Sequence, residues 1–281
     1  MNAKEILKQV IPPILLKMYR KIGDPHLSGF LWTGKYLRYS DVKAQGEGYR
    51  GRVWITSRSS QTQIVRKEIE NGNGIPIVRG FRFGSLALLA SLVSPRSQKL
   101  RILDFGGGMG VAYPQVLHSL GEEFPLEYHI VENSESCIEG RKIFIGDSRI
   151  QFHEGLDNSL TNIDIVFMSG VLQYVDDYSA IIHSLIKLHP SFVLMTFLPV
   201  GSMSTFASAQ VNLKGSVLPT WFFNLNELIS IFTSLKYQLL CKLSIEPEDC
   251  IDMGNFEEED QLNHMSTLFF ANMESDDNVR Q

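Results

Sequence analysis

An apolar run that ends in glycines constrains this chain more than any other feature. Leu100 to Phe105 leads directly into Gly106-Gly107-Gly108-Met109-Gly110, and a helical pattern over about 112–120 follows. A short continuous apolar run bounded by turn residues reads as a strand buried on both faces. The same alternation continues downstream, with strands at 126–131, 150–153, 163–168 and about 191–197. Helices lie between them at about 134–145 and after Asp176-Asp177. Strands and helices in strict alternation predict a doubly wound parallel sheet. The end of the chain differs: a helix at about 224–234, a strand near 236–245, an acidic loop and a last strand near 264–271. Two closing strands in succession imply an antiparallel hairpin at the sheet edge.

Upstream the pattern is less regular. Residues 4–21 have helical spacing broken by Pro12-Pro13, with Lys4, Lys8, Lys17, Arg20 and Lys21 around apolar positions. Such a segment either docks on its own domain or makes weak contact with an anionic membrane surface. Residues 23–80 mix glycines, aromatics and charges without a clear period, and Asn71-Gly72-Asn73-Gly74 before Pro76 is turn chemistry. Residues 81–94 read as a helix ended by Pro95. The expected division is therefore an N-terminal helical extension over 1–80, a main domain over 81–273 and a flexible tail over 274–281.

Glycines between a strand and a helix allow a tight turn and let the backbone approach a ligand closely. Here they follow an acid, as Asp104-x-Gly106-x-Gly108-x-Gly110, and Glu132 ends the next strand. A carboxylate at that strand tip can accept both hydroxyls of a ribose, because an ionised acid has only acceptor sites. The loop departs from the dinucleotide fingerprint G-x-G-x-x-G, whose last position is Val111 here, and this argues against a nicotinamide oxidoreductase. A nucleoside-triphosphate loop, G-x-x-x-x-G-K-[ST], is missing.

The Asp-x-Gly-x-Gly-x-Gly motif with its downstream acid resembles motif I of class I S-adenosylmethionine-dependent methyltransferases, over about residues 81–272. The resemblance implies a Rossmann-like, mostly parallel seven-stranded sheet with S-adenosylmethionine as cofactor. It implies that Asp104, Gly106, Gly107, Gly108 and Gly110 line the methionine side and that Glu132 holds the ribose. Glu154 or Leu156, after the third strand, would contact the adenine. Ser169-Gly170-Val171-Leu172-Gln173-Tyr174-Val175 resembles the segment beneath the reactive methyl, with Ser169 beside the cofactor. Many small-molecule methyltransferases carry histidine where this chain has Gln173. More narrowly, that segment and Thr205 to Gln210 resemble a bacterial subfamily associated with surface-polysaccharide biosynthesis. Its basic residue after the fifth strand is replaced here, since Phe197-Leu198-Pro199 keeps only the proline.

Methyl transfer needs a positioned acceptor and, for a hydroxyl, a general base. His153, Asp176, Asp177 and Tyr174 are the candidates. Each has a second explanation: His153 as a packed strand-end residue, Asp176 and Asp177 as helix caps, Tyr174 (like Tyr113) as a core aromatic. A non-catalytic cofactor-binding protein is the competing reading, because no base stands out. No metal is expected: His153-Glu154 lacks the second histidine of H-E-x-x-H, and Cys137, Cys241 and Cys250 lack ligand spacing. A serine hydrolase is excluded, since no G-x-S-x-G elbow occurs. The formal net charge of -5 gives no drive toward nucleic acid. Three cysteines without a CxxC pair, and no apolar segment of spanning length or signal peptide, lead to the expectation of a cytoplasmic protein.

Overall fold

The computed structural model describes residues 30–73, 82–93, 99–213, 215–244 and 251–274. The expected basic helical segment at 4–21, Cys250 and nearly all of the expected tail lie outside them. The larger of two sheets has seven strands in the order β10-β11-β6-β5-β2-β3-β4. Its strands are β2 (Leu100–Phe105), β3 (Leu126–Val131), β4 (Ile150–His153), β5 (Ile165–Ser169), β6 (Phe192–Leu198), β10 (Tyr237–Leu243) and β11 (Ser266–Asn272). β2 to β6 run parallel, and β11 lies antiparallel to both β6 and β10, which forms the expected hairpin at the edge.

Side chains alternate across this sheet with period two. Ile102, Tyr128, Ile130, Ile165 and Phe167 face one core, under α2 (Arg82–Val93), α3 (Tyr113–Leu120) and α4 (Ser134–Ile143). Leu103, Val131, Val166, Met168 and Met195 face the other, under α5 (Tyr178–Ile186) and α6 (Leu225–Ser234). The chain leaves β2 toward β3 and β4 on one side, then returns to β5 on the other side of β2. Two neighbouring strands whose connections diverge leave a crevice beyond their carboxyl ends, and ligands of open α/β sheets bind there. The crevice falls between Gly106 and Ser169.

Residues 30–73 hold more order than their sequence suggests. A helix, α1 (Arg52–Glu70), packs against α3 and α4. Two of its four buried positions are Ser59 and Thr62, beside Val65 and Ile69, so the buried face carries too few apolar residues to show a period. A second sheet, ordered β1-β8-β9-β7, joins β1 (Trp32–Tyr36) to β7 (Val200–Gly201), β8 (Phe206–Gln210) and β9 (Leu218–Asn224). Its core is aromatic: the Phe206 and Phe222 rings stack at 5.0 Å, with Trp32 edge-on to Phe222 at 5.4 Å. Part of the acidic loop is docked rather than solvated. Asp260 is buried and receives two hydrogen bonds from Lys35 of β1, at 2.7 and 2.8 Å. Among the described residues no helix is long and apolar enough to cross a membrane.

Candidate cofactor site

The loop after β2 turns because its glycines adopt backbone angles that side-chain-bearing residues avoid. Gly106 has φ +74° and Gly108 φ +58°. A Cβ on Gly106 would lie 2.3 Å from Val171 Cγ2, so the loop presses directly on the segment after β5. Among the described residues a Cβ on Gly108 would meet nothing within 4 Å, so they leave the backbone open to a ligand on that side. Met109 and Gly110 are buried and fasten the loop to the core before α3 starts.

Asp104 lies beneath this loop, 2 % exposed. Its Oδ2 accepts the Tyr128 hydroxyl at 2.7 Å, and its Oδ1 is buried with no hydrogen-bond partner among the described residues. A buried carboxylate short of donors resists ionisation, so burial raises its pKa from 3.8 to about 7. Glu132 follows β3 and is half-buried. Asn133 orients its carboxylate, with Nδ2 3.0 and 3.2 Å from the two oxygens, while Asn133 Oδ1 accepts from Ser136 N and caps α4. Burial raises the Glu132 pKa, opposed by the Asn133 hydrogen bonds and by the charge of Arg50.

Beyond β4, Glu154 is exposed and 3.7 Å from the Arg141 guanidinium, and Leu156 is half-buried. Ser169 ends β5 and accepts from the Thr196 hydroxyl at 2.9 Å. The structure therefore places Asp104, the glycines and Ser169 around the crevice. Glu132 is one strand away and Glu154 two strands away, along one rim of the sheet. An orphaned acceptor under an open glycine loop, with a second carboxylate at the next strand tip, suits a ligand that brings a donor or cation and a ribose.

The sequence matches the family described as "Methyltransferase domain" over residues 78–242. The chain belongs to that family. Its fold, read from the sheet order and hairpin, is Rossmann-like, its cofactor is S-adenosylmethionine, and the reaction class is methyl transfer. No curated protein matches the sequence. Among solved structures the chain is similar to magnesium protoporphyrin IX methyltransferase from Synechocystis PCC 6803, solved with bound SAH. Identity is 12%, the TM-score 0.46, and the match covers 75% of this chain and 99% of that one. An S-adenosylmethionine-dependent methyltransferase from Mesorhizobium loti is also similar, at 12% identity and TM-score 0.46, covering 67% and 99% of the two chains. For the CcbJ methyltransferase from Streptomyces caelestis the values are 14%, 0.46, 68% and 94%.

S-adenosylmethionine, when bound, supplies an activated methyl group, so this methyltransferase needs to position an acceptor and exclude water. The segment after β5 is built for positioning. Gln173, 1 % exposed, donates to the Phe197 carbonyl at 3.3 Å, and its Oε1 is buried without a partner among the described residues. Phe197 itself holds φ +56°, a strained value for a side-chain-bearing residue. Tyr174 Oη stands 2.8 Å from Tyr49 Oη and donates to Gln210 Oε1 at 2.7 Å. Gln210 in turn reaches Tyr49, Asn212 and Thr220. Sequence reasoning missed Tyr49, which no motif marks, and named Gln210 only as the end of the Thr205 to Gln210 stretch.

The candidate bases sit in different circumstances. His153 has both ring nitrogens engaged, Nε2 with His129 Nδ1 at 3.1 Å and Nδ1 with Asp157 Oδ2 at 3.3 Å. It also lies on β4, at the far edge of the sheet from β5. The Tyr174 hydroxyl is spent in the ring just described, and burial pushes its pKa well above 10.0. Asp177 caps α5, accepting from Ala180 N at 2.9 Å. The Asp176 carboxylate is exposed and close enough to Tyr39 to raise that hydroxyl's pKa further, after burial has done so. Tyr113 is a core residue of α3 whose hydroxyl bonds Asp147 at 2.6 Å.

Proposed function

We propose that this methyltransferase methylates a hydroxyl of a small-molecule acceptor, of the sugar or glycan-precursor class. The observation that carries this reading is the hydrogen-bond network beside the segment that presses on the glycine loop, in which Tyr49, Tyr174 and Gln210 close a ring and Asn212 and Thr220 each bond Gln210. Its members are uncharged and both donate and accept, which suits a neutral polyhydroxyl group better than a carboxylate or an amine. The region over 1–80 and the segment 198–223 form the cap over the carboxyl ends of the strands. Asp104 and the loop glycines serve the methionine end, Glu132 the ribose, Glu154 or Leu156 the adenine, and Ser169 the floor below the methyl. Asp176 is the general base, since among the described residues its carboxylate alone of the four candidates has no hydrogen-bond partner. The resemblance to the polysaccharide-associated subfamily supports the acceptor class. The net charge of -5 favours a small molecule over nucleic acid, and the cysteine pattern favours a cytoplasmic site. Membrane contact through residues 4–21 remains a proposal from sequence.

The test is formation of S-adenosylhomocysteine from S-adenosylmethionine in the presence of nucleotide-sugar and free-sugar acceptors. Asp176→Asn is expected to lower kcat by about 10²- to 10⁴-fold with KM little changed. A second reading, a non-catalytic cofactor-binding protein, is favoured by the engagement of His153 with His129 and Asp157, which removes the obvious histidine base. Tight cofactor binding with no turnover on any acceptor would select it.

A further inference from the structure

A cleft of about 320 Å³ lies at the carboxyl rim of the large sheet, on the side of β6 that faces β11. Strand register fixes its position. Ser169, at the end of β5, pairs with Thr196 of β6 and accepts its hydroxyl at 2.9 Å. Two residues on, Leu198 pairs with Ser266, which lines the cleft together with Ser244 just past β10. Neighbouring strands are about 4.8 Å apart, so the cleft opens on the order of 10 Å from Ser169. Gly201 of β7 shapes it. A Cβ there would lie 2.4 Å from Leu262 Cδ2, so glycine is what lets the 261–264 segment seat against β7.

Hydrogen-bond donors dominate the lining. Lys242 supplies a cation, His264 an imidazole, Ser244 and Ser266 hydroxyls, and Asn226 and Asn263 amides. The Ser244 and Ser266 Oγ atoms are 2.9 Å apart, a bond that uses one hydroxyl proton and leaves the other to donate. Among the described residues no carboxylate lines the cleft, and no hydrogen bond or ion pair occupies the Lys242 ammonium. Acids next to the lining in sequence are held elsewhere. Asp260, before Gln261, takes both hydrogen bonds from Lys35, and Glu227, after Asn226, accepts the Thr205 hydroxyl at 2.5 Å. A concave site with one cation and several neutral donors suits a phosphoryl group, whose oxygens accept from several directions at once. A carboxylate, planar and with two oxygens, would leave more of those donors unmet.

We propose that this cleft is a phosphate subsite for the acceptor, in which Lys242 and the hydroxyls beside it hold the phosphoryl group of a phosphorylated sugar. The assignment rests on the reading of the acceptor as a sugar or glycan precursor, and it names the form in which that sugar arrives. The phosphoryl group is bound and not cleaved. Held away from Ser169, it orients the sugar so that a free hydroxyl is presented to the methyl group. The two ends of the acceptor are then read by different chemistry: the uncharged network around Gln210 takes neutral hydroxyls, and the cleft takes the charge.

The experiment is calorimetric titration of the full chain with glucose-1-phosphate, glucose and inorganic phosphate, with S-adenosylmethionine titrated in parallel. The phosphate ester is expected to bind about 10-fold more tightly than glucose or inorganic phosphate. Lys242→Ala should weaken the ester about 10- to 100-fold, and Lys242→Arg should keep most of the affinity. Lys187→Ala, at the end of α5 and outside the cleft, should lose little. All variants should bind S-adenosylmethionine as wild type does, and their melting temperatures show whether the fold is kept. No binding of the ester, binding that survives Lys242→Ala, or an equal loss in Lys187→Ala would overturn the subsite. Inorganic phosphate that binds as tightly as the ester would make the cleft a free-anion site and overturn its assignment to the acceptor. Formation of S-adenosylhomocysteine separates this proposal from the one beneath it. Free sugars methylated as fast as their phosphates would keep the sugar reading and overturn the subsite, whereas turnover on neither would overturn the sugar reading itself.

Discussion

At the scale of single residues, Asp104 couples the site to pH. Its folded pKa is raised from 3.8 to about 7, so between those values the native state keeps a proton that the unfolded chain has released. Stability contributed by this group therefore falls as pH rises from 3.8 through about 7. Asp104→Asn keeps an acceptor for Tyr128 and removes the titration. The variant is expected to melt higher than wild type at pH 8, with the gap closing toward pH 4, while binding S-adenosylmethionine poorly. Parallel melting curves across that range would contradict the argument. Gly106→Ala tests the loop's contact with Val171. Positive φ and a Cβ only 2.3 Å from a methyl group should cost about 1–3 kcal/mol in denaturant unfolding. The position of Asp104, Glu132 and the glycines around strand ends was legible, because apolar runs stop at them and a tight turn needs the glycines. The bonding of Tyr49 to Tyr174 and Gln210 was not, since a tyrosine in an irregular stretch carries no spacing signal.

At the scale of elements, the start of α4 joins stability to binding. Asn133 caps the helix through Oδ1 and orients Glu132 through Nδ2. Asn133→Ala should destabilise the protein by about 1 kcal/mol. It should also weaken cofactor binding, read by denaturant unfolding and calorimetry together; Asn133→Ser, which restores a cap but not the amide, should recover stability alone. The parallel strands were legible as continuous apolar runs, since burial on both faces demands them. α1 was hidden, because Ser59 and Thr62 occupy half of its buried positions. β9 was hidden for another reason. Pro219 lies within it, and proline in a run argues against a central strand.

At the scale of the whole molecule, the extension and the main domain share one sheet. β1 pairs with β8, and the Ser208 hydroxyl reaches the Thr33 carbonyl across 175 residues of chain. Pairing over such a separation leaves no local trace in sequence, which is why the small sheet was not foreseen. Deleting residues 1–51 removes β1, bares the edge of β8 and leaves buried Asp260 without Lys35. The truncated chain is expected to aggregate or melt at a markedly lower temperature, as thermal unfolding with light scattering would show. The most direct test of the central claim is calorimetric titration of the purified chain with S-adenosylmethionine and NAD, repeated on Asp104→Ala and Glu132→Ala. The account predicts binding of S-adenosylmethionine alone, lost or strongly weakened in both variants. Binding of NAD in its place, or variants that bind S-adenosylmethionine as wild type does, would contradict it.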